Sequence, residues 1–252
     1  MDNKFYAYYD SIFKDKDYQE EIGRVIAIYR KYAKTQPRSA IDIGCGTGGH
    51  SVALAKKGVR TLALDIDKQI LKIALAKSQD LTDLPVNFKY ADISKYRPQE
   101  EYDLAISLFN VVNYLPTLKE LTGFLQGVNR SQKPKGLYIF DCWNGVAAII
   151  DPPRIKTTRV RLANGTEVMT EIVPENDRLF QHTELNYEIR IKRGADKQIV
   201  RYTMQQYLWT PKELKEILAI ANYEVLQITT WTNWHRPATE EDWKILFVCR
   251  KK

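Results

Sequence analysis

The sequence has few of the residues that form disulfides and metal sites. Its 252 residues include three cysteines, at Cys45, Cys142 and Cys249, and only three histidines. An odd number of widely separated cysteines argues against a disulfide framework and favours a reducing compartment, which we expect to be the cytoplasm. Because no Cys-x-x-Cys pair is present, the sequence predicts no zinc site and no other metal site.

Long apolar runs and blocks of one charge are also missing. No apolar run reaches the roughly 18 residues of a membrane span, and the polar residues 1–4 are unlike the start of a secretory signal. The formal charge is +7, from 38 basic and 31 acidic residues, but the basic residues form no cluster. The sequence therefore predicts no membrane or nucleic-acid partner. We expect a small-molecule substrate and a monomer or homodimer.

The hydrophobic pattern predicts an α/β fold. Between residues 39 and 142 short apolar segments alternate with helical ones, which is typical of βαβ units on a parallel sheet. Two late strands, at 224–230 and 243–249, follow a helix that begins with a capping box, Thr210-Pro211-Lys212-Glu213. We expect a Rossmann-like, seven-stranded mixed sheet with helices on both faces. Its early strands are predicted at 40–43, 61–64, 86–88, 104–106 and 137–140.

Residues 151–209 have a different pattern, in which apolar and polar residues alternate with a period of two. The pattern predicts an antiparallel β-insert with one apolar face, with turns at 164–165, 174–177 and 193–194. The predicted organisation is a core of residues 1–150 and 210–252, of which 1–34 form an N-terminal helical lid. The insert, residues 151–209, is expected to lie over the active site and bind substrate.

A glycine-rich turn follows the first predicted strand. Asp42, Gly44, Gly46 and Gly48 fit the pattern of S-adenosylmethionine-binding proteins, and Gly44, Gly46 and Gly49 also fit the dinucleotide pattern G-x-G-x-x-G. Glycines at such a turn let the backbone approach a ligand closely, next to the positive end of a helix. The turn alone does not decide between the two cofactors.

Of three further acids, two favour S-adenosylmethionine. Asp65, at the end of the second strand, suits a ribose diol in either case. Asp92 follows the third strand and Asp103 opens the fourth, and neither a second nucleotide half nor a Tyr-x-x-x-Lys relay is present. The sequence thus resembles the class I S-adenosylmethionine-dependent methyltransferases over residues 39–142 and 210–250. The resemblance implies that S-adenosylmethionine is the cofactor and S-adenosylhomocysteine the product, held by Asp42, Gly44, Gly46, Gly48, Asp65, Ile66, Asp92, Ile93 and Leu108.

A closer resemblance extends outside these motifs. Residues 9–13, Tyr-Asp-Ser-Ile-Phe, the following Lys16-Asp17-Tyr18, and residues 107–115 are similar to segments of the sugar-nucleotide N,N-dimethyltransferases. In that family, aromatic residues of the N-terminal segment close over the methionine end of the cofactor, which implies this role for Tyr9 and Tyr18. Where relatives carry a histidine after the fourth strand, this chain has Tyr114, so a histidine mechanism is not expected.

The function predicted from this resemblance is N-methylation of a small polar metabolite, most specifically an amino sugar attached to a nucleotide. Asn110, Asn113 and Tyr114 are the candidates to orient the nucleophile. Basic residues of the insert are expected to bind a diphosphate, because guanidinium groups match phosphate oxygens: Arg154, Arg159 and Arg178. The alternatives are a small-molecule O-methyltransferase, an amino-acid or amine N-methyltransferase, and a nucleic-acid or protein methyltransferase.

Some conspicuous residues are assigned structural roles. Residues 151–153, Asp-Pro-Pro, are interpreted as the end of a helix rather than as the catalytic motif of DNA amino-methyltransferases. Cys45 is expected to pack inside the glycine turn, and His50 to lie on the surface or cap the first core helix.

Overall fold

The main sheet has seven strands. The computed structural model describes residues 16–79, 83–162 and 164–252. Its strands are β1 (Ser39–Ile43), β2 (Arg60–Asp65), β3 (Val86–Tyr90), β4 (Tyr102–Ser107), β5 (Gln132–Trp143), β10 (Tyr223–Thr230) and β11 (Lys244–Lys251). The strand order is β10-β11-β5-β4-β1-β2-β3, in which β10 and β11 are antiparallel to each other and β11 is antiparallel to β5. The predicted mixed sheet is confirmed.

Helices cover both faces of this sheet. The helices are α1 (Tyr18–Ala33), α2 (Gly49–Lys56), α3 (Lys68–Ser78), α4 (Leu118–Arg130), α5 (Gly145–Ile150) and α6 (Pro211–Ile220), and a 3-10 helix spans Val111–Tyr114. On one face of the sheet, α1 and α2 pack against apolar residues that include Leu104 and Ile106. On the other face, α4 and α6 pack against residues that include Tyr138 and Phe140.

The local signals account for how several helices begin and end. The capping box at Thr210 is formed with Glu213, and Pro211 occupies the first turn of α6. Helix α5 ends at Ile150, and Asp151 is its C-cap, so the interpretation of residues 151–153 as a helix end is confirmed. The start of α5, at Gly145, and the 3-10 helix were not predicted. Among the described residues, no helix is long and apolar enough to cross a membrane.

The second sheet has four antiparallel strands in chain order: β6 (Lys156–Arg161), β7 (Glu167–Asp177), β8 (His182–Arg193) and β9 (Asp196–Tyr207). Its apolar face packs on α3, where Ile70 belongs to one buried cluster with Val168, Ile189 and Ile191. All four strands fall within the predicted insert of residues 151–209. That these residues form a unit separate from the 1–150 and 210–252 core stays a prediction.

One predicted turn in the insert is wrong. Residues 174–177 continue strand β7, and the chain turns only after Asp177. A proline is tolerated there because β6 pairs with β7 only as far as Ile172. Pro174 therefore lies where β7 is an edge strand on that side, and its missing N–H removes no ladder hydrogen bond.

Candidate active site

A cavity of about 2180 Å³ lies between the two sheets. One wall is formed at the carboxyl ends of β1, β2 and β4, and the other by the apolar face of the β6–β9 sheet. In the strand order, β1 and β4 are the neighbours at which the direction of the chain connections reverses. Open α/β sheets bind ligands in the crevice beyond such a switch point. The cavity is therefore the candidate active site.

The glycine turn forms part of this cavity. Gly44 and Gly46 line it and have positive φ angles of 76° and 56°. A Cβ atom on Gly44 would lie 2.7 Å from the side chain of Val111, so glycine is required there both for conformation and for space. The turn thus brings bare backbone to the cavity wall.

Two of the predicted cofactor residues in this motif do not line the cavity. Gly48 is the N-cap of α2, and a Cβ on it would lie 2.7 Å from the ring of Phe88, so Gly48 packs against β3. Asp42 is buried and accepts a hydrogen bond from the Ser51 hydroxyl (2.5 Å). Burial raises the pKa of Asp42. Both residues make contacts within the protein that stabilise the glycine turn. The motif therefore includes residues that fix the backbone path as well as residues that can contact the ligand.

Asp65 lies at the end of β2 beside the glycine turn. Its Oδ2 accepts the N–H of Gly46 and its Oδ1 accepts the N–H of Asp67, each at 2.9 Å. Burial raises the pKa of Asp65, and these hydrogen bonds partly offset that rise. Each carboxylate oxygen retains a lone pair, so Asp65 can accept from two neighbouring hydroxyls. Ile66, the next residue, is exposed and lines the same wall.

The far end of the cavity is formed after β3. Asp92 and Ile93 line it, and the Asp92 carboxylate accepts from the N–H (2.9 Å) and hydroxyl (2.7 Å) of Ser94. Burial alone would raise the pKa of Asp92, but these bonds and Lys95 hold it below its usual value. Asp103, the other acid of the pattern, lies at the opposite end of the sheet. It accepts from the N–H groups of residues 38 and 39.

The N-terminal segment contributes a charged cluster. Tyr18 lines the cavity, its ring lies over Gly49, and its centroid is 4.9 Å from that of His50. Glu21 joins His50 (2.5 Å) and Lys16 (2.8 Å). Burial would raise the pKa of Glu21, but hydrogen bonds from His50 and Lys16 lower it to about 2. His50 is only 6% exposed, and the helix that it opens has Gly48 as its N-cap without a side-chain cap hydrogen bond. Its predicted surface or capping position is therefore wrong: α1 packs over it.

Two more predictions concern this part of the molecule. Tyr9 lies outside the described residues. Cys45 is buried, as expected, and burial raises its pKa. Lys16 lines the cavity and was not predicted, although it belongs to the quoted Lys16-Asp17-Tyr18 segment. The described residues include no group of three or more His, Cys, Asp or Glu that could hold a metal ion.

The segment after β4 brings two of the three candidate catalytic residues to the cavity. Asn110 and Tyr114 line it, as does the buried Leu108. Asn113 does not. It is fully buried, its Oδ1 accepts from the N–H of Trp143 (2.9 Å), and its amide donates to the carbonyl of Tyr207 (2.7 Å). Asn113 therefore connects β5 to β9, and the structure does not bring it to the cavity with Asn110 and Tyr114.

The insert wall is largely aromatic and apolar. Tyr187 and Tyr202 are stacked with ring centroids 4.4 Å apart, and burial raises the pKa of Tyr187 to about 12. Burial also raises the pKa of Tyr114, although a hydrogen bond with Gln206 opposes this. Gln206 of β9, which was not predicted, lines the same cavity as Tyr114. The wall is completed by Ile172, Leu185 and Met204.

Only one of the three predicted arginines lines the cavity. Arg154 does so and pairs with Asp151 at 2.7 Å, and Lys156 lines the cavity nearby. Arg159 lies on β6, next to Val160. Val160 pairs with Val168, which faces the core, so Arg159 lies on the opposite face of the strand. Arg178 is exposed in the turn after β7. The alternation of β6 was visible in the sequence and could have excluded Arg159.

Comparison with known proteins agrees with this architecture. Residues 40–136 match the methyltransferase domain family. This match, together with the fold, shows that residues 40–136 form an S-adenosylmethionine-dependent methyltransferase domain.

Individual relatives are distant. The chain is 23% identical over 251 residues, 98% of both chains, to a Geobacillus sp. (strain WCH70) protein that is only provisionally named a methyltransferase. It is 25% identical over 130 residues, 52% of both chains, to dTDP-3-amino-3,4,6-trideoxy-alpha-D-glucopyranose N,N-dimethyltransferase of Streptomyces venezuelae. The structure of CalS10 with bound S-adenosylmethionine, an amino pentose methyltransferase from Micromonospora echinaspora, superposes with a TM-score of 0.78. This pair is 18% identical, and 97% of this chain and 96% of that one are covered.

Proposed function

We propose that this protein transfers a methyl group from S-adenosylmethionine to the amino group of a small polar metabolite, most specifically an amino sugar attached to a nucleotide. The observation that carries the proposal is one cavity with two different walls. At about 2180 Å³, it exceeds the roughly 300–1,000 Å³ typical of a site for one small ligand. Its size supports simultaneous binding of a cofactor and an acceptor.

The sheet-side wall suits the cofactor. Asp65 has an acceptor lone pair left on each oxygen for the ribose hydroxyls, and Gly44 and Gly46 present bare backbone. Asp92 lines the same cavity with a carboxylate that can accept from an adenine amino group. Lys16 offers a cation for the cofactor's carboxylate, and Tyr18 an aromatic face for its positive end. When bound, S-adenosylmethionine supplies an electrophilic methyl group on a cationic sulfur.

The residues between the two walls suit an amine acceptor. Transfer of a methyl group depends mainly on alignment of the reacting atoms, and an amine must be neutral to attack. Tyr114 can accept or donate a hydrogen bond there, and Asn110 lines the same cavity with a buried carboxamide oxygen that has no partner among the described residues. These two groups orient the amine and accept its N–H, while the apolar wall with Tyr187 excludes water. The acceptor's ammonium form must lose one proton before attack, and the methylated ammonium product can lose another afterwards; both protons can leave to solvent, so no strong base is required.

The cavity also contains cations for a phosphate group. Arg154 and Lys156 both line it, next to the apolar surface of the insert. The names of two relatives, the dTDP-amino-sugar dimethyltransferase and the amino pentose methyltransferase, support an amino sugar as the acceptor. The insert wall favours a small molecule over a nucleic acid or protein, since the acceptor must fit between the two sheets.

The test is a methylation assay by mass spectrometry on paired acceptors: a nucleotide-linked amino sugar, the free amino sugar, and the nucleotide sugar with a hydroxyl in place of the amine. We expect methylation of the first only. Methylation of the hydroxyl compound would favour the O-methyltransferase alternative, and equal methylation of the free amine would favour a simple amine substrate.

Two variants test the phosphate assignment. Lys156→Met should raise KM for the nucleotide-linked acceptor without changing the affinity for S-adenosylmethionine. Arg159→Met, on the same strand but on its opposite face, is the matched control and should leave both values unchanged. An equal effect of the two substitutions would contradict the assignment, because it would show only a loss of general positive charge.

A further inference from the structure

A buried carboxylate holds the turn that follows β4. Asp141, near the end of β5, is fully buried. Its Oδ1 accepts the N–H groups of both Phe109 (2.6 Å) and Asn110 (3.3 Å). Its Oδ2 forms an ion pair with Lys244 of β11. The family motifs considered above do not include Asp141.

The turn that Asp141 holds has an unusual backbone. Phe109 and Asn110 have positive φ angles of 76° and 63° in succession. Side chains other than glycine rarely adopt this region, particularly bulky ones such as Phe. Such conformations persist only where the surroundings fix them, and they occur mainly at functional sites. Here two successive N–H groups converge on one carboxylate oxygen, which is the fixing interaction.

The turn presents an unsatisfied polar atom. The Oδ1 of Asn110 is buried and has no hydrogen-bond partner in residues 16–79, 83–162 and 164–252. Asn110 lines the cavity, and the next residue, Val111, packs against Gly44 of the glycine turn. A buried carbonyl oxygen without a partner costs free energy, so an N–H donor from a ligand would compensate it.

From these contacts we infer that Asp141 is a positioning residue for methyl transfer. It fixes the 109–110 turn so that the side-chain oxygen of Asn110 accepts an N–H of the attacking amine and orients its lone pair. The inference rests on the proposed function, but Asp141 itself touches neither substrate nor cofactor. Its effect on the reaction is exerted through Asn110.

The chain contains a matched control for Asp141. Asp103 also accepts two successive backbone N–H groups, of Arg38 (2.9 Å) and Ser39 (3.0 Å), and also pairs with a lysine, Lys133 (2.7 Å). It lies at the opposite end of the same sheet, at the start of β4. Asp103→Ala therefore removes the same kind of interaction without reaching the cavity.

The test is a double-mutant cycle of Asp141→Ala and Asn110→Gly, in which glycine keeps the positive φ without strain. Single-turnover rates are measured with saturating S-adenosylmethionine and the nucleotide-linked amino sugar. Each single substitution should lower the rate at least about tenfold, as small misplacements do. In the Asn110→Gly background, Asp141→Ala should add less than about twofold, because contacting residues couple. Asp103→Ala should leave the rate unchanged. Additive losses would overturn the inference.

Hydrogen–deuterium exchange provides a readout that needs no substrate. Asp141→Ala should increase exchange in the peptide that contains Phe109 and Asn110, and Asp103→Ala should not. If the wild type methylates no amine but exchange increases in this way, the proposed function fails while the role of Asp141 in holding the turn is supported. Unchanged exchange overturns that role in either case. If Asp141→Ala fails to fold with Lys244 unpaired, Asp141→Ala/Lys244→Met takes its place in both experiments.

Discussion

Asp65 gives the sharpest test of how the cofactor is bound. Its two carboxylate oxygens each accept one backbone N–H, from Gly46 and Asp67, and each can accept one more hydrogen bond. If both ribose hydroxyls donate to Asp65, Asp65→Ala loses two bonds to a charged group, worth about 1.5–3 kcal/mol each. Even the lower values sum to about 3 kcal/mol, which is roughly a hundredfold in Kd.

Isothermal titration calorimetry with S-adenosylmethionine measures this loss directly. Asp65→Asn, which keeps one acceptor oxygen, should fall between the wild type and Asp65→Ala. Because burial raises the pKa of Asp65, wild-type affinity should weaken on acidification at a higher pH than an ordinary aspartate would give, and Asp65→Asn should lack this dependence. A folded Asp65→Ala variant with unchanged affinity would refute the reasoning.

The remaining predictions concern catalysis and stability. Tyr114→Phe removes one hydrogen bond to the acceptor, worth up to about 1.5 kcal/mol, and should therefore lower kcat by up to about tenfold, with unchanged cofactor affinity by calorimetry; an unchanged kcat would refute its role. The pKa of Glu21 is lowered from 4.5 to about 2. Glu21→Gln should therefore reduce the free energy of unfolding in urea at pH 7 by about 3 kcal/mol. The deficit should shrink as pH falls from 4.5 towards 2, and a deficit independent of pH would contradict the assignment. Gly127→Ala should destabilise by about 1–3 kcal/mol, because its Cβ would lie 2.2 Å from the carbonyl of Ile93. Gly123→Ala in the same helix has no such clash and should raise the melting temperature, whereas equal effects would refute the packing argument.

The sequence predicted the elements well because their local signals are strong. Apolar runs bounded by glycine and proline marked the strands of the main sheet, and period-two alternation marked β7, β8 and β9. The misplaced turn at 174–177 shows the limit of local rules. Proline and asparagine favour turns, but β6 is short enough to leave that part of β7 with a free edge.

The candidate site was predicted unevenly for a physical reason. Motif residues that line the cavity, such as Gly44 and Asp65, could be predicted because each lies at the carboxyl end of a strand that the local sequence marks. Residues such as Asn113, Gln206 and Asp141 act through contacts between segments far apart in sequence. No spacing rule reveals which asparagine has a hydrogen-bonded side-chain oxygen, as Asn113 has, and which has an unpaired one, as Asn110 has among the described residues.

The central claim is that the cavity between the two sheets binds S-adenosylmethionine on its sheet-side wall and leaves the insert wall for the acceptor. A crystal structure of the protein with S-adenosylhomocysteine tests it most directly. We predict the ribose hydroxyls against Asp65, the adenine beside Asp92 and Ile93, and the sulfur facing Asn110 and Tyr114. Electron density for the product along the insert wall beside Tyr187, with Asp65 uncontacted, would contradict the account.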